Sequence, residues 1–405
     1  MIILKIAFRN VFRQKRRSLL TIIMMAGGYF LFSLSIGVSD GTYSSIIDMF
    51  TRDHTGHIQI HRKGYLDRRS LYKTISNYEA LGSRIEAVPE VQAWAPRLYS
   101  PALAFIGTKT TGVRIIGIDP EREARTTRLR EKVRRGRFIS GRPLREVVIG
   151  SGLARILNAD IGDELVLISQ GADGSIANDL FNVVGFSGSA GDTSERMNCY
   201  MHIKTAQEFL VLDNRIHEIA IVLTDQRKSR EIAALIRTRL NDPSLDVEPW
   251  QVVEKQFYQA MQADVKGTYI SLLIIMIIVA VGVLNTVLMT ILERTHEFGL
   301  LRALGTRPVK VFLLIMIETG VLSVFGVMLG GVFGVLGNYL LSIYGISYPV
   351  PIEYGGIVFE KMVGMVSLKS ILLPAAVTVL TALVVSVFPA IRAARVEPVK
   401  AMRSI

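Results

Sequence analysis

Long apolar runs alternate with polar segments along this chain. Residues 18–39, 267–292, 311–341 and 370–391 form the four apolar runs. Each reaches the roughly 20 residues that a helix needs to cross the hydrocarbon core of a bilayer. We therefore predict a transmembrane helix at each position. The run at 18–39 is longer than the apolar core of a cleaved signal peptide, so we expect it to be retained.

Residues 40–266 lack a spanning run and carry the patterns of a mixed domain. Ile58 and Ile60 alternate with histidines and a glutamine, which is the period of a strand with one polar face. Further strands are predicted at 91–106, 112–118, 146–149, 164–169, 180–186, 198–203 and 218–223. Helices are predicted at 151–157, 205–212 and 226–240, and a solvated helix at 121–137. Helical stalks are predicted at the two ends of the segment, at 44–50 and 249–265. These patterns favour an α+β domain large enough for a core of its own.

Basic residues beside the apolar runs set the predicted topology. The chain has 47 Lys and Arg against 35 Asp and Glu, a formal net charge of +12. The N-terminal segment 1–17, the loop 293–310 and the tail 392–405 are rich in Lys and Arg, so the positive-inside rule places them in the cytoplasm. Segment 1–17 is predicted as an interfacial helix and 342–369 as a short periplasmic loop. The fold class predicted is a membrane protein with four transmembrane α-helices and a large α+β periplasmic domain, residues 40–266, inserted between helices 1 and 2.

Several kinds of chemistry lack support in the sequence. The single cysteine, Cys199, cannot form an intrachain disulfide. The fragment at 107–110 lacks the glycine and lysine order of a phosphate-binding loop, and hydrolase and zinc-protease motifs are missing. His54, His57 and His61 have no nearby Cys, Asp or Glu at ligand spacing except Asp53, so we expect no metal site. Because the motifs above are missing, we also expect no catalytic residue and no cofactor in this chain. Nucleic-acid binding is not expected, because basic residues and aromatic residues are not interleaved as a binding platform.

The loop 293–310 holds the strongest candidate for a docking site. As a helix it would place Phe298, Leu301 and Leu304 on one apolar face, with charged residues around the rest. This pattern exceeds what a connecting turn needs and favours a surface read by another protein, with Phe298 as the aromatic anchor. The residues assigned to this docking surface are Glu293, Arg294, Glu297, Phe298, Leu301, Arg302 and Gly305. The alternative is a solvated interfacial helix.

The third apolar run contains two further features. Gly326, Gly330 and Gly334 repeat at four-residue spacing, which allows a neighbouring helix to approach closely, and we predict that they pack a dimer. Glu318 is a carboxylate within the predicted span. Such a group is costly unless it faces protein, so Glu318 is a candidate for a structural or coupling role.

Four segments together resemble a known family. They are AFRNVFRQKRRSLLT near the N-terminus, TGHIQIHRKGY in the first strand, EFGLLRALGTRPVKVFLLIMIE in the inner loop and PAIRAARVEPVKAMR in the tail. The chain resembles the MacB/FtsX-like ABC transporter permeases, most closely the lipoprotein-releasing LolC/LolE type. It differs from MacB in lacking a fused ATPase and from FtsX in its larger extracytoplasmic domain.

The resemblance implies a non-catalytic permease subunit of the mechanotransmission type in the bacterial inner membrane. ATP and Mg would be bound by separate cytoplasmic ABC ATPase subunits, which would hold the loop 293–310 as a coupling helix. Other implied partners are a second permease copy or a paralogue, a periplasmic acceptor or adaptor protein, and membrane lipid. The implied function is extraction of lipoprotein or lipid from the inner membrane. The alternatives are adaptor-coupled efflux of small molecules or peptides, and FtsX-like regulation of a periplasmic enzyme.

Overall fold

The computed structural model describes residues 2–13, 15–189, 195–354 and 357–396. The helices are α1 (Ile2–Arg13), α2 (Lys15–Phe50), α3 (Tyr78–Glu86), α4 (Pro120–Thr126), α5 (Ser151–Leu157), α6 (Ile203–Phe209), α7 (Ser229–Leu240), α8 (Trp250–Val253), α9 (Lys255–Glu293), α10 (Thr295–Ala303), α11 (Pro308–Tyr344) and α12 (Leu368–Ala394). The strands are β1 (Ile58–Arg62), β2 (Ile75–Ser76), β3 (Val91–Ile106), β4 (Lys109–Ile118), β5 (Val133–Gly136), β6 (Glu146–Gly150), β7 (Glu164–Gln170), β8 (Ile176–Ser187), β9 (Asn198–His202), β10 (Arg215–Ile216), β11 (Glu218–Leu223), β12 (Leu245–Pro249), β13 (Ile346–Tyr354) and β14 (Ile357–Met362).

The chain divides into two compact units. The helical unit comprises the residues up to Ser44, those from Met261 to Tyr348 and those from Lys361 on. The α+β unit comprises Ser45–Ala260 with Pro349–Glu360. The main part of the α+β unit therefore begins within the end of α2 and ends within the start of α9, and Pro349–Glu360 joins it from the segment between α11 and α12.

Four helices of the described residues are long and apolar enough to cross a membrane, namely α2, α9, α11 and α12. Each contains one of the predicted spans, and each extends beyond it. The exact membrane limits, and hence the predicted boundaries, stay predictions. The predicted outer loop contains the two-stranded sheet of β13 and β14. The predicted tail lies mostly outside the described residues, which end at Val396.

The glycine repeat of α11 faces α2 of the same chain. A Cβ atom added at Gly330 would lie 2.7 Å from the carbonyl oxygen of Ala26, and one at Gly326 would lie 2.7 Å from the Cβ of Met25. At Gly334 it would lie 2.9 Å from the Ser33 hydroxyl. The predicted close approach of a neighbouring helix is therefore present, but α2 takes the place that we expected a second copy of the chain to occupy.

The α+β unit is built on one ten-stranded mixed sheet. Its strands run in the order β12-β1-β11-β3-β4-β9-β6-β8-β5, and β7 pairs with both β3 and β8. The pairs β4–β9 and β6–β8 are parallel. The strands predicted from alternation are all present, and the GADGS segment at 171–175 connects β7 to β8 as expected of turn-forming residues.

The two faces of the sheet differ in polarity. One face carries apolar residues that form two core clusters, one of them containing Ile58, Ile60 and Ile221 and the other Leu98 and Ile115. Side chains of a strand alternate between faces, so the residues next to these point to the opposite side. That opposite face carries a row of polar side chains across β1, β11 and β3, and these side chains are buried.

One predicted element is wrong. The segment 121–137 was expected to be a solvated helix, but α4 ends at Thr126 and the chain re-enters the sheet as β5. The physical reason is that part of the segment packs on the domain and does not face solvent: Thr126 and Leu129 are buried, and Glu123 is only 2% exposed and forms an ion pair with the buried Arg97. Charge content alone indicates a solvated segment, whereas here one carboxylate has a buried partner on a distant strand.

Candidate functional site

The predicted docking segment folds as a short helix with a defined end. α10 follows α9 after a break at Arg294, where the backbone leaves the helical conformation. At its other end Gly305 has a φ angle of 84°, which favours glycine. The Thr306 N–H donates to the carbonyl of Leu301 at 3.0 Å, and the Gly305 N–H donates to that of Arg302 at 3.1 Å. This is a Schellman C-cap, so Gly305 ends the helix, and Pro308 starts α11 immediately after it.

Arg294 ties this segment to the helical unit. The Arg294 guanidinium donates to both oxygens of Glu318 at 3.1 and 3.2 Å and to Glu297 at 2.9 Å. Asn10 of α1 donates to Glu318 at 2.6 Å. Arg294 and Glu318 are both buried. Glu318 therefore faces protein, and this cluster joins α1, α10 and α11 through charge-assisted hydrogen bonds.

Two further ion pairs connect the same region to the N-terminal segment. Arg17 donates to both carboxylate oxygens of Glu293. Arg13 donates to Glu297 at 2.7 Å in an exposed pair. Partial burial raises the pKa of Glu297, but the hydrogen bonds and charges of Arg294 and Arg13 outweigh this effect, so its pKa lies below the ordinary value. The exposed pairs contribute little to stability, and they orient the segment.

Phe298, the residue predicted to anchor the docking surface, is buried in the structure. Its side chain is 0% exposed and packs in an apolar cluster with Ile291, Ile315 and Ala390. The Arg294 guanidinium lies 5.1 Å from the centre of its ring. Phe298 therefore anchors α10 to its own helical unit, and Leu301 packs against the same cluster.

The exposed apolar surface of the segment lies on the other side of α10. Leu300 is 50% exposed and Leu304 is 75% exposed, and they are four residues apart. Val309, just beyond the helix end, is also exposed. We call Leu300, Leu304 and Val309 the outer apolar surface. Exposed Arg307 and Lys310 lie beside these residues in the chain.

The structure places the residues predicted for the docking surface in several different environments. Of the predicted residues, Glu293, Arg294 and Glu297 lie in the ion-pair cluster, Phe298 and Leu301 face the interior, and Gly305 caps the helix. Arg302 donates to the Thr306 carbonyl at 3.1 Å. Leu300 was missed, although its spacing to Leu304 was visible, because both apolar faces fit a helical period. Asn10, Arg13 and Arg17 were missed because their partners lie 276 residues or more away in the chain.

Comparison with known proteins places these features in a family. The family described as MacB-like periplasmic core domain matches residues 18–239, and the one described as FtsX-like permease C-terminal matches residues 269–398. The chain belongs to the MacB/FtsX-like permeases. Together the two matches cover both units, and the predicted resemblance is confirmed.

Individual proteins that are similar in sequence support this family assignment. The chain is 22% identical over 351 residues to the lipoprotein-releasing system transmembrane protein LolC of Neisseria meningitidis, covering 84% of this chain and 83% of that one. It is 21% identical to the lipoprotein-releasing system transmembrane protein LolE of Haemophilus influenzae, covering 82% of each. The crystal structure of the periplasmic region of MacB from Actinobacillus actinomycetemcomitans aligns with 52% of this chain and 96% of its own, at 15% identity and a TM-score of 0.38. By its two family matches and these lipoprotein-releasing relatives, the chain is an ABC transporter permease of the LolC, LolE and MacB type.

Proposed function

We propose that this permease couples ATP hydrolysis by a separate cytoplasmic ATPase to motion of its α+β unit in the periplasm. The observation that carries the proposal is the construction of α10. Its inner face is fixed by Phe298 and the Arg294–Glu318 pair, while its outer apolar surface is exposed. A helix that transmits force needs a firm attachment on one side and a free surface for its partner on the other.

The buried cluster supplies the path for such force. A displacement of α10 moves Arg294, and Arg294 is bonded to Glu318 on α11, which is bonded to Asn10 on α1. Sliding one of these helices alone would leave a charge buried without its partner, which costs several kcal/mol. We infer that α1, α10 and α11 move together when the ATPase binds and hydrolyses ATP.

The outer apolar surface is the proposed ATPase contact. Leu300 and Leu304 would fill a groove of the ATPase, as an amphipathic helix does, and Arg307 and Lys310 would contribute charge at the rim. In this proposal Leu300 and Leu304 take the anchoring role that the sequence analysis assigned to Phe298. The active assembly proposed is a pair of permease chains, identical or paralogous, with two ATPase subunits.

The matched test substitutes two pairs of exposed leucines. Leu300→Ala/Leu304→Ala should weaken ATPase binding by about thirtyfold, roughly 2 kcal/mol, because two apolar anchors are lost. Leu336→Ala/Leu340→Ala on α11 is the control, since these residues have the same spacing and similar exposure within a predicted span. Copurification and ATPase stimulation are measured for both. Equal retention by the two variants would show that α10 is not the docking site.

The substrate proposed is a lipoprotein or a lipid of the inner membrane. The support is that relatives covering more than four fifths of the chain are named as lipoprotein-releasing proteins. The test is ATP-dependent release of a triacylated peptide from liposomes containing the permease and its ATPase, with an unacylated peptide as the control. Release of the unacylated peptide at the same rate would favour the alternative, adaptor-coupled efflux of small molecules or peptides; one relative, MacB of Nitrobacter winogradskyi, is named as a macrolide export protein.

A further inference from the structure

The α+β unit contains a cleft that the proposed coupling does not use. Its volume is about 840 Å³, within the range of small-molecule sites. All of its lining residues belong to the α+β unit, and many come from the polar face of the sheet and the segment that follows β1. Tyr65, Tyr99, Tyr200 and Phe50 contribute aromatic surface to its walls.

The floor of the cleft is a row of buried charged and polar side chains. His61, Glu218 and Arg97 occupy directly opposite positions on β1, β11 and β3. Arg97 donates to Glu218 at 3.0 Å and to Glu123 at 2.6 Å, and Tyr99 donates to Glu218 at 3.1 Å. Burying such a network costs desolvation that an apolar layer would avoid, so fold stability alone does not account for a polar floor.

The cleft also holds arginines without carboxylate partners. Arg69 forms no ion pair or side-chain hydrogen bond with the described residues. Among the described residues, the Arg114 guanidinium donates to the neutral Asn198, at 2.7 and 3.1 Å. Both guanidinium groups belong to exposed residues that line the cleft. Two cations that face one space, with no carboxylate within ion-pair distance among the described residues, attract an anionic ligand.

Hydroxyl donors accompany these arginines. Ser70, Ser169 and Tyr65 line the same cleft. Burial raises the pKa of Tyr65, so its hydroxyl stays protonated and can donate a hydrogen bond. A phosphate group accepts more hydrogen bonds than a carboxylate does, and Arg binds it through two parallel N–H donors, so this donor set suits a phosphate.

The acidic residues of the cleft are nearly all neutralised. Arg97 pairs with Glu123 and Glu218, and Lys132 lies 3.1 Å from Asp53. Glu254 is the remaining carboxylate of the lining, and it has no ion pair within 4 Å among the described residues. Burial raises its pKa, and the nearby charge of Arg69 opposes this effect. Glu254 is therefore expected to weaken the binding of an anion.

We propose that this cleft binds a phosphate ester. Arg69 and Arg114 hold the phosphate, the serine hydroxyls and Tyr65 complete its hydrogen bonds, and the aromatic walls contact the organic part. The inference concerns the α+β unit alone and does not depend on the proposed ATPase coupling. The same chemistry fits the phosphodiester headgroup of an anionic lipid or a free phosphate monoester.

The test is calorimetric titration of the purified full chain in a neutral maltoside detergent, without the ATPase. The probes are phenyl phosphate, glycerophosphoglycerol as a soluble headgroup, and phenyl glucoside as a neutral control. We expect binding of at least one phosphate ester and none of the glucoside. Tighter binding of glycerophosphoglycerol would identify a lipid headgroup as the source, and tighter binding of phenyl phosphate a free monoester. Absence of binding by both esters at millimolar concentration would overturn the proposal.

Charge-matched variants separate the cleft from general surface attraction. Arg69→Gln/Arg114→Gln should weaken binding of the preferred ester at least about tenfold, because two charged donors are lost. Arg68→Gln/Lys109→Gln removes the same charge from the same loop and the same strand outside the lining, and should leave binding unchanged. Glu254→Gln should strengthen binding. Equal weakening by both double variants would mean nonspecific attraction and would overturn the proposal, and unfolding temperatures identify any variant that fails to fold.

Discussion

Two buried arginines of this chain pair with carboxylates, and their surroundings differ. In the helical unit, Arg294 contacts Glu297 and Glu318 beside a cavity of only about 40 Å³. In the α+β unit, Arg97 contacts Glu123 and Glu218 at the floor of a cleft of about 840 Å³. The first cluster has room for one or a few water molecules, and the second for a ligand. A closed cluster suits a mechanical joint, whereas an open one suits recognition.

The largest expected effect comes from removing the Glu318 carboxylate of the closed cluster. Glu318→Ala should lower the free energy of unfolding by about 3 kcal/mol or more, because it leaves Arg294 buried without its main partner. Arg294→Met/Glu318→Leu should recover most of that stability, because apolar side chains of similar size replace both charges. Unfolding of the full chain in detergent measures both changes.

The exposed ion pair of Arg13 and Glu297, in the same helical unit, provides the control for this prediction. Arg13→Ala breaks only its ion pair with Glu297 and should cost less than about 1 kcal/mol. If Glu318→Ala costs no more than Arg13→Ala, the cluster is not closed to solvent and the contrast between the two arginines fails. If Arg294→Met/Glu318→Leu is stable but no longer stimulates the ATPase, the result would support a role of this cluster in coupling.

The second prediction uses pH to address the α+β unit separately. Burial and the charge of Arg52 lower the pKa of His57 to about 4. The unfolded chain, whose histidine has the ordinary pKa near 6.5, therefore binds more protons than the folded unit between these values. The contribution of His57 to the free energy of unfolding is therefore fully present above about pH 6.5. It is lost as the pH decreases towards about 4, and its size is roughly 3 kcal/mol.

Tryptophan fluorescence measures the unfolding of the α+β unit separately from that of the helical unit. The chain has two tryptophans, Trp94 and Trp250, and both lie in the α+β unit. His57→Asn should flatten the acid dependence, because an amide oxygen can accept the bond that the Leu223 N–H makes to His57 at 2.9 Å without taking up a proton. His296→Asn in α10 lies in the helical unit and should leave the fluorescence titration unaltered. An unchanged acid slope in His57→Asn would assign it to other groups.

The sequence predicted the elements better than their environments. The sequence patterns identified β3, β4, β6, β7, β8, β9 and β11, whose apolar side chains face the core, but not β5 or the two-residue β10. Alternation identified the polar side of β1 but could not show that this side is buried, because Arg97 and Glu218 join it from distant strands. The same limit applies to α10, where two apolar faces fit one helical period and only the packing of Phe298 distinguishes inside from outside.

The smallest of these effects tests whether close helix packing keeps the helical unit closed. Gly330→Leu should lower the free energy of unfolding by about 1–3 kcal/mol, because the new side chain meets the backbone of Ala26 and forces α2 and α11 apart. Gly331→Leu is the matched control. The nearest atom to a Cβ there is the Tyr29 hydroxyl at 3.7 Å, so this change should have little effect. Unfolding in detergent at several protein concentrations is the measurement, since a contact within one chain gives a loss that does not depend on concentration. A loss that appears only on dilution would instead place Gly330 at the contact between two copies.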